Sequence, residues 1–100
     1  MSKHYTHVEC TPTSFDWIPG YLEAVPKLVD KHGGRYIYKT TDFDSIEMPA
    51  DMPTTFVVLI EWPDANAAAA FYDDPEYQSH KQARLAASDT RWFNAPEFAE

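Results

Sequence analysis

The sequence predicts an α+β protein, a four-stranded antiparallel sheet with helices on one face. Three observations carry this. The run His32-Gly33-Gly34-Arg35-Tyr36-Ile37-Tyr38 joins an apolar-periodic helix to an alternating strand through two glycines. A second strand-helix unit follows, with an apolar strand at residues 55–62, the break Pro63-Asp64 and an alanine-rich helix. Hydrophobic residues make up 44% of only 100 residues, enough to build one core and too many for a disordered chain.

In chain order, residues 4–11 read as the first strand, with His4, Thr6, Val8 and Cys10 on one face and Tyr5, His7, Glu9 and Thr11 on the other. Pro12 ends it, because proline cannot donate to a strand ladder. Residues 14–32 read as the first helix. Phe15, Ile18, Leu22, Val25 and Val29 recur at steps of three and four and make one apolar stripe. Thr13 or Ser14 can cap its start. Alternatively Pro19 opens the main helix after a turn over residues 14–18. Pro26 removes one backbone hydrogen bond, and a kink is expected there. Gly33 is the natural residue of positive φ just past the helix. Residues 35–40 form the second strand. A loop over residues 41–54 follows, with Ile46-Glu47-Met48 as a possible short extra strand.

Residues 55–62 are the clearest strand. Phe56-Val57-Val58-Leu59-Ile60 is apolar on both faces, and helices can cover only one of them. A second subunit is the simplest cover for the other, so a homodimer through the open sheet face is expected. The high aromatic share, 15%, points the same way, since a small domain has little interior for surplus rings. Asp64 caps a helix over residues 65–73, Pro75 opens one over 75–88, and residues 90–95 form the last strand. The order β-α-β-β-α-α-β is a split β-α-β arrangement with ferredoxin-like topology, here as a single domain over residues 1–100.

Sixteen acidic residues against eight basic ones give a net charge of −8. The basic residues are scattered, so nucleic acid and anionic membranes are poor partners. No window approaches the ~20 apolar residues of a membrane span. Cys10 is the only cysteine, so no intrachain disulfide can form. With no apolar run behind the N-terminus, a cytoplasmic location is expected.

The run Tyr21-Leu22-Glu23-Ala24-Val25-Pro26, then His32-Gly33-Gly34-Arg35-Tyr36, is similar to the middle of the bacterial family named domain of unknown function 1330. So are Ile60-Glu61-Trp62-Pro63, the pair Phe71-Tyr72, Pro75-Glu76-Tyr77 and Arg84. The resemblance covers about residues 15–95. It implies a dimeric α+β barrel, with two ferredoxin-like sheets packed face to face, and it implies no activity. Members of that superfamily include cofactor-free monooxygenases, haem-degrading enzymes and lactone isomerases, a fold-level analogy only. The chain departs from the family pattern in the loop from Met48 to Pro53, which lacks an expected glycine. It departs again at His80, where an aromatic or aliphatic residue is expected.

No metal centre and no cofactor are expected. His4 and His7 point to opposite strand faces, and His4 and Cys10 stand roughly 20 Å apart at ~3.3 Å per residue. No Gly-x-Ser-x-Gly turn offers a serine nucleophile, and the three glycines make no phosphate-cradling loop. Strands one and three are expected to run parallel as neighbours. Glu9 and Glu61 near their C-terminal ends would then become a possible acid-base pair if the register joins them. On the third helix Tyr77, His80, Lys81 and Arg84 share one side. That side is either a solvated face or a grip for a small carboxylate, with Leu85 and the alanines expected to supply the packing. His32 at a helix C-terminus is explained by the helix dipole. Arg35 is free to reach a ligand or an acidic partner.

The function expected is therefore binding of a small organic molecule, anionic or aromatic, in the cleft between sheet and helices. Arg84 and Tyr77 lead the ligand-contacting candidates, followed by His32, Arg35, Glu61 and His80, and no catalytic residue is assigned. Trp62, Trp92 and Asn94 are further candidates for an aromatic site. The structural alternative for Arg84 is an ion pair with Asp73, Asp74 or Glu76. The competing functions are a cofactor-free monooxygenase or isomerase of aromatic or lactone substrates, and a structural dimer without ligand.

Overall fold

A computed structural model describes residues 2–49 and 54–98. The elements run β1 (His4–Pro12), α1 (Ile18–Lys31), β2 (Arg35–Thr40), β3 (Phe56–Trp62), α2 (Ala65–Asp73), α3 (Gln78–Ala86) and β4 (Ser88–Pro96). The strands form one sheet in the order β2-β3-β1-β4, and every pairing is antiparallel. The fold is α+β with ferredoxin-like topology.

One expectation about this sheet is corrected. β1 and β3 are neighbours but run antiparallel, with Tyr5 opposite Glu61 and Glu9 opposite Val57. α1 carries the chain back, so β2 runs parallel to β1. β3 then reverses and inserts between the two, antiparallel to both. Glu9 and Glu61 therefore sit at opposite ends of the β1-β3 ladder and form no acid-base pair. Ile46-Glu47-Met48 makes no strand, and the loop it belongs to continues into residues 50–53, outside the described residues.

The helix starts and stops have local causes. Pro19 falls in the first turn of α1, where its missing N–H breaks no helical bond, so the turn-then-helix alternative is the one adopted. Gly33 takes φ 80° just past the helix. A Cβ on Gly34 would lie 2.6 Å from Trp62 Cζ3 and 2.9 Å from Val29 Cγ1, so this glycine lets the chain pass against the core. Asp64 caps α2 by accepting from Ala67 N at 2.8 Å. α3 starts later than proposed, at Gln78, because residues 75–77 form a turn. β4 starts earlier, at Ser88.

The core lies between the sheet and the helices. β1 contributes Thr6, Val8 and Cys10, β3 contributes Val58, Ile60 and Trp62, and the helices add Val25, Leu28, Val29, Ala68 and Phe71. Two polar groups buried there are satisfied in series: Trp62 Nε1 donates to Thr6 Oγ1 at 2.8 Å, and Thr6 donates to Asn94 Oδ1 at 2.6 Å. Most aromatics gather on this helix side. Phe71 lies 4.6 Å from Tyr77 and 5.2 Å from Trp62 between ring centroids. Much of the aromatic surplus thus fills the core.

The packing of α1 is uneven, and this shapes the site. Its C-terminal half buries Val25, Leu28 and Val29. Farther toward the N-terminus, Leu22 is exposed, as is Phe15 just before the helix. The stripe read from the sequence is real, but its first half stands over open space.

Candidate functional site

That space is a cavity of about 570 Å³ between α1 and the inner sheet face. α1 and the turn before it supply Trp17, Ile18, Tyr21, Leu22, Val25 and Pro26. The sheet supplies Val8, Tyr36, Val58, Ile60 and Trp92. Lys39, Thr40, Thr41 and Thr55 line it from β2 and the chain that follows. The volume falls within the usual range for small-molecule sites.

Arg84 is the one guanidinium in this lining. It is only 2% exposed, and its Nε and Nη2 have no hydrogen-bond partner. The guanidinium carbon lies 4.7 Å from the centroid of the Trp92 ring. Burial opposes its charge, but the nearby phenols of Tyr77 and Tyr21 interact with it and hold its pKa above the ordinary value. Those two phenol oxygens are 2.6 Å apart. Burial raises the pKa of Tyr21 and Tyr77, and pushes that of Tyr36 up to about 12. All three phenols are therefore neutral at physiological pH.

The packing face of α3 overturns one expectation. Leu85 is 51% exposed and Ala83 and Ala86 are also exposed, whereas Arg84 is buried and His80 and Lys81 are half-buried. The polar stripe beginning at Tyr77, itself fully buried, is the one that faces inward. Lys81 carries its charge over the Tyr72 ring at 4.3 Å from the centroid. A helix with little apolar residue content can pack this way when long side chains cover aromatic rings with their stems.

The other site candidates lie elsewhere. His32 Nε2 is 2.7 Å from Asp74 Oδ2, which also accepts from Lys31 Nζ at 2.9 Å. Asp74 Oδ1 accepts from Glu76 N at 2.8 Å. The hydrogen bonds from His32, Lys31 and Glu76 hold the Asp74 carboxyl well below the usual range. This cluster clamps the end of α1 to the α2-α3 turn. It also occupies Asp74, one of the acids considered as a partner for Arg84, and Glu76 pairs with Lys31 as well. Arg35 Nε donates to Glu61 Oε1 at 3.1 Å, and this bond, with Lys3, lowers the Glu61 pKa. His7 and Arg91 meet Glu9. By strand register, Glu9, Arg35 and Glu61 share the sheet face turned away from the helices. His80 stands edge-on to Tyr21, 6.3 Å between centroids. Trp62 and Asn94 belong to the buried Thr6 chain, and only Trp92 of the three lines the cavity. Among the described residues no three His, Cys, Asp or Glu side chains gather to hold a metal.

Sequence reasoning missed Trp17, Tyr21 and Tyr36 as cavity residues. A signal was present: Trp17, Ile18, Tyr21, Leu22 and Val25 occur at helical spacing, and two of the five are amphipathic rings.

A family model described as a domain of unknown function, DUF1330, matches residues 3–96. The chain belongs to the DUF1330 family. No curated protein sequence matches it. Among solved structures, the DUF1330 chain resembles RPA0582, a protein of unknown function from Rhodopseudomonas palustris, at a TM-score of 0.79. Identity there is 15%, over 99% of this chain and 85% of the other. It also resembles SnoaB, a cofactor-independent oxygenase from Streptomyces nogalater, with TM-score 0.65, 14% identity and coverage of 100% and 95%. A dabb family protein with a ferredoxin-like fold from Mesorhizobium loti matches with TM-score 0.66, 11% identity and coverage of 100% and 99%. At these identities the likeness is one of fold.

Proposed function

We propose that the protein binds a small organic molecule, anionic or aromatic, in the cavity between α1 and the sheet. One observation carries this reading: an apolar cavity contains a single buried guanidinium that no described carboxylate neutralises. A buried cation without a counter-charge is costly, and a ligand anion supplies what the fold leaves out. Binding is favoured over acid-base catalysis by the lining itself. Its described residues include no carboxylate, imidazole or thiol, and the phenols are neutral. Tryptophan fluorescence tests the reading, since Trp17 and Trp92 both line the cavity. Saturable quenching by aromatic acids, lactones or neutral aromatics is expected. Silence across all three classes would reject it in favour of a structural protein without ligand.

A second reading is cofactor-free oxygenation or isomerisation of an aromatic or lactone substrate. The ring-rich lining and the fold shared with SnoaB favour it. Because the described lining offers no carboxylate, imidazole or thiol as a base, such a substrate is best read as entering already as its anion, with Arg84 stabilising the charge. Turnover of a bound ligand under air would separate this reading from the first.

We further infer a homodimer formed through the open sheet face. Val57, Leu59, Tyr38 and Phe93 share that face by register, no helix among the described residues covers it, and Phe93 is 53% exposed. Light scattering checks this, with Phe93→Glu expected to shift the protein toward monomer. The lone buried thiol, Cys10, suits a reducing cytoplasm.

A further inference from the structure

We propose that the ligand is an apolar monocarboxylate whose two oxygens sit on the Nε–Nη2 edge of Arg84, an inference that rests on the ligand-binding reading above. A guanidinium presents its hydrogens along edges. The Nε–H and one Nη2–H point the same way along one edge, spaced to match the two oxygens of a carboxylate. Those are the two nitrogens of Arg84 that lack a partner. The rest of the group is already used. One face lies against Trp92, and the phenols of Tyr77 and Tyr21 interact with the group. What the fold leaves open is therefore one two-pronged fork.

Two of the acids weighed as partners for Arg84 are engaged elsewhere. Asp74 is held by His32 and Lys31, and Glu76 by Lys31. Two donors also set the valence. A phosphate brings a further oxygen and a further charge, and most of the lining is aliphatic and aromatic carbon, with Lys39 and three threonines supplied by β2 and the chain that follows. An acidic protein of net charge −8 adds repulsion against any polyanion. A single carboxylate matches the fork, and an apolar body matches the space between α1 and β3.

The fork has almost no water-accessible surface in this conformation. Seating a carboxylate thus requires a wall side chain to move, and Tyr21 and Trp92 are partly exposed groups that interact with Arg84. Binding is expected to report through Trp92, whose ring lies on the guanidinium.

The experiment titrates the full chain with 2-naphthoate, 2-naphthamide and 2-naphthylmethanol, three probes of one size that differ in the group offered to the fork. The wild type is expected to bind the acid at least about tenfold more tightly than either neutral probe, as a charged hydrogen bond contributes. In Arg84→Met, with folding checked by circular dichroism, that preference is expected to vanish while neutral binding persists. Arg84→Lys keeps the charge without the fork and is expected to recover only part of it. Equal binding of acid and amide by the wild type overturns the carboxylate inference and leaves the binding cavity standing. A preference retained in Arg84→Met places the anion elsewhere and overturns it too. No binding of any probe overturns both this inference and the reading it rests on.

Discussion

Replacing Arg84 by methionine should leave the protein as stable or make it more stable. The substitution removes a charge buried to 98% and keeps an unbranched side chain of comparable reach. In its favour, two buried N–H groups without partners, Nε and Nη2, each cost about 1–3 kcal/mol, and both penalties disappear. Against it stands the contact with the Trp92 ring, about 0.5–2 kcal/mol. The interaction with the Tyr77 and Tyr21 phenols is also lost, at about 1.5–3 kcal/mol for a charged hydrogen bond. The two phenols keep their own hydrogen bond at 2.6 Å, so neither is left orphaned. With low ends and high ends compared in turn, the balance lies between about zero and about 1 kcal/mol in favour of methionine, the direction found when buried charges give way to well-packed apolar groups. Urea unfolding followed by far-UV circular dichroism measures it, with an unchanged slope confirming that the midpoint shift is a stability change. Thermal midpoints should rise by about 4–8 °C per kcal/mol for a domain of this size. A loss of more than about 2 kcal/mol would refute the reasoning, because Arg84 would then be a structural residue with partners strong enough to offset its burial.

Other outcomes follow from the same structure. Asp74 has a folded-state pKa below its unfolded one, so its contribution is complete above the unfolded carboxylate pKa of about 3.9 and fades as pH falls below it. Thermal midpoints measured from pH 6 down to pH 2 should fall for the wild type, and the fall should be shallower in Asp74→Asn, which lacks this titration. Gly34→Ala should destabilise by about 1–3 kcal/mol, as overpacking does, because the new methyl meets Trp62 carbons at 2.6 and 2.7 Å. Denaturant midpoints check it, and a neutral result would mean that the Trp62 ring shifts freely.

The fold was legible because its signals are local. Two glycines after an apolar helix, a proline-aspartate break after an apolar strand and a cap at Asp64 each act within a few residues, and each sits where the pattern places it. The relative direction of β1 and β3 is not local. It follows from the whole path through α1, β2 and the loop, and only the pairing of Tyr5 with Glu61 reveals it. The same division separates the site candidates. Arg35 and Glu61 are residues of ordinary ion-pairing type, and across the β2-β3 ladder they neutralise each other.

Arg84 is the case in which hydropathy and periodicity disagree. By hydropathy, Tyr77, His80, Lys81 and Arg84 make the solvated side of α3, and Leu85 with the alanines makes the packed side. The structure reverses this, because the neighbours of α3 are rings: Trp92, Tyr72, Phe71 and Tyr21. A cation packs on an aromatic face where it would not pack on leucine, so a ring-rich interior can accept a charged stripe that an aliphatic one would expel. That is enough to half-bury Lys81, with its ammonium over the Tyr72 ring. It is not enough for Arg84, which goes in whole and arrives with two donors unspent. Aromatic packing explains why the guanidinium is tolerated. It does not explain why one edge faces no acceptor; the proposed carboxylate ligand would supply one.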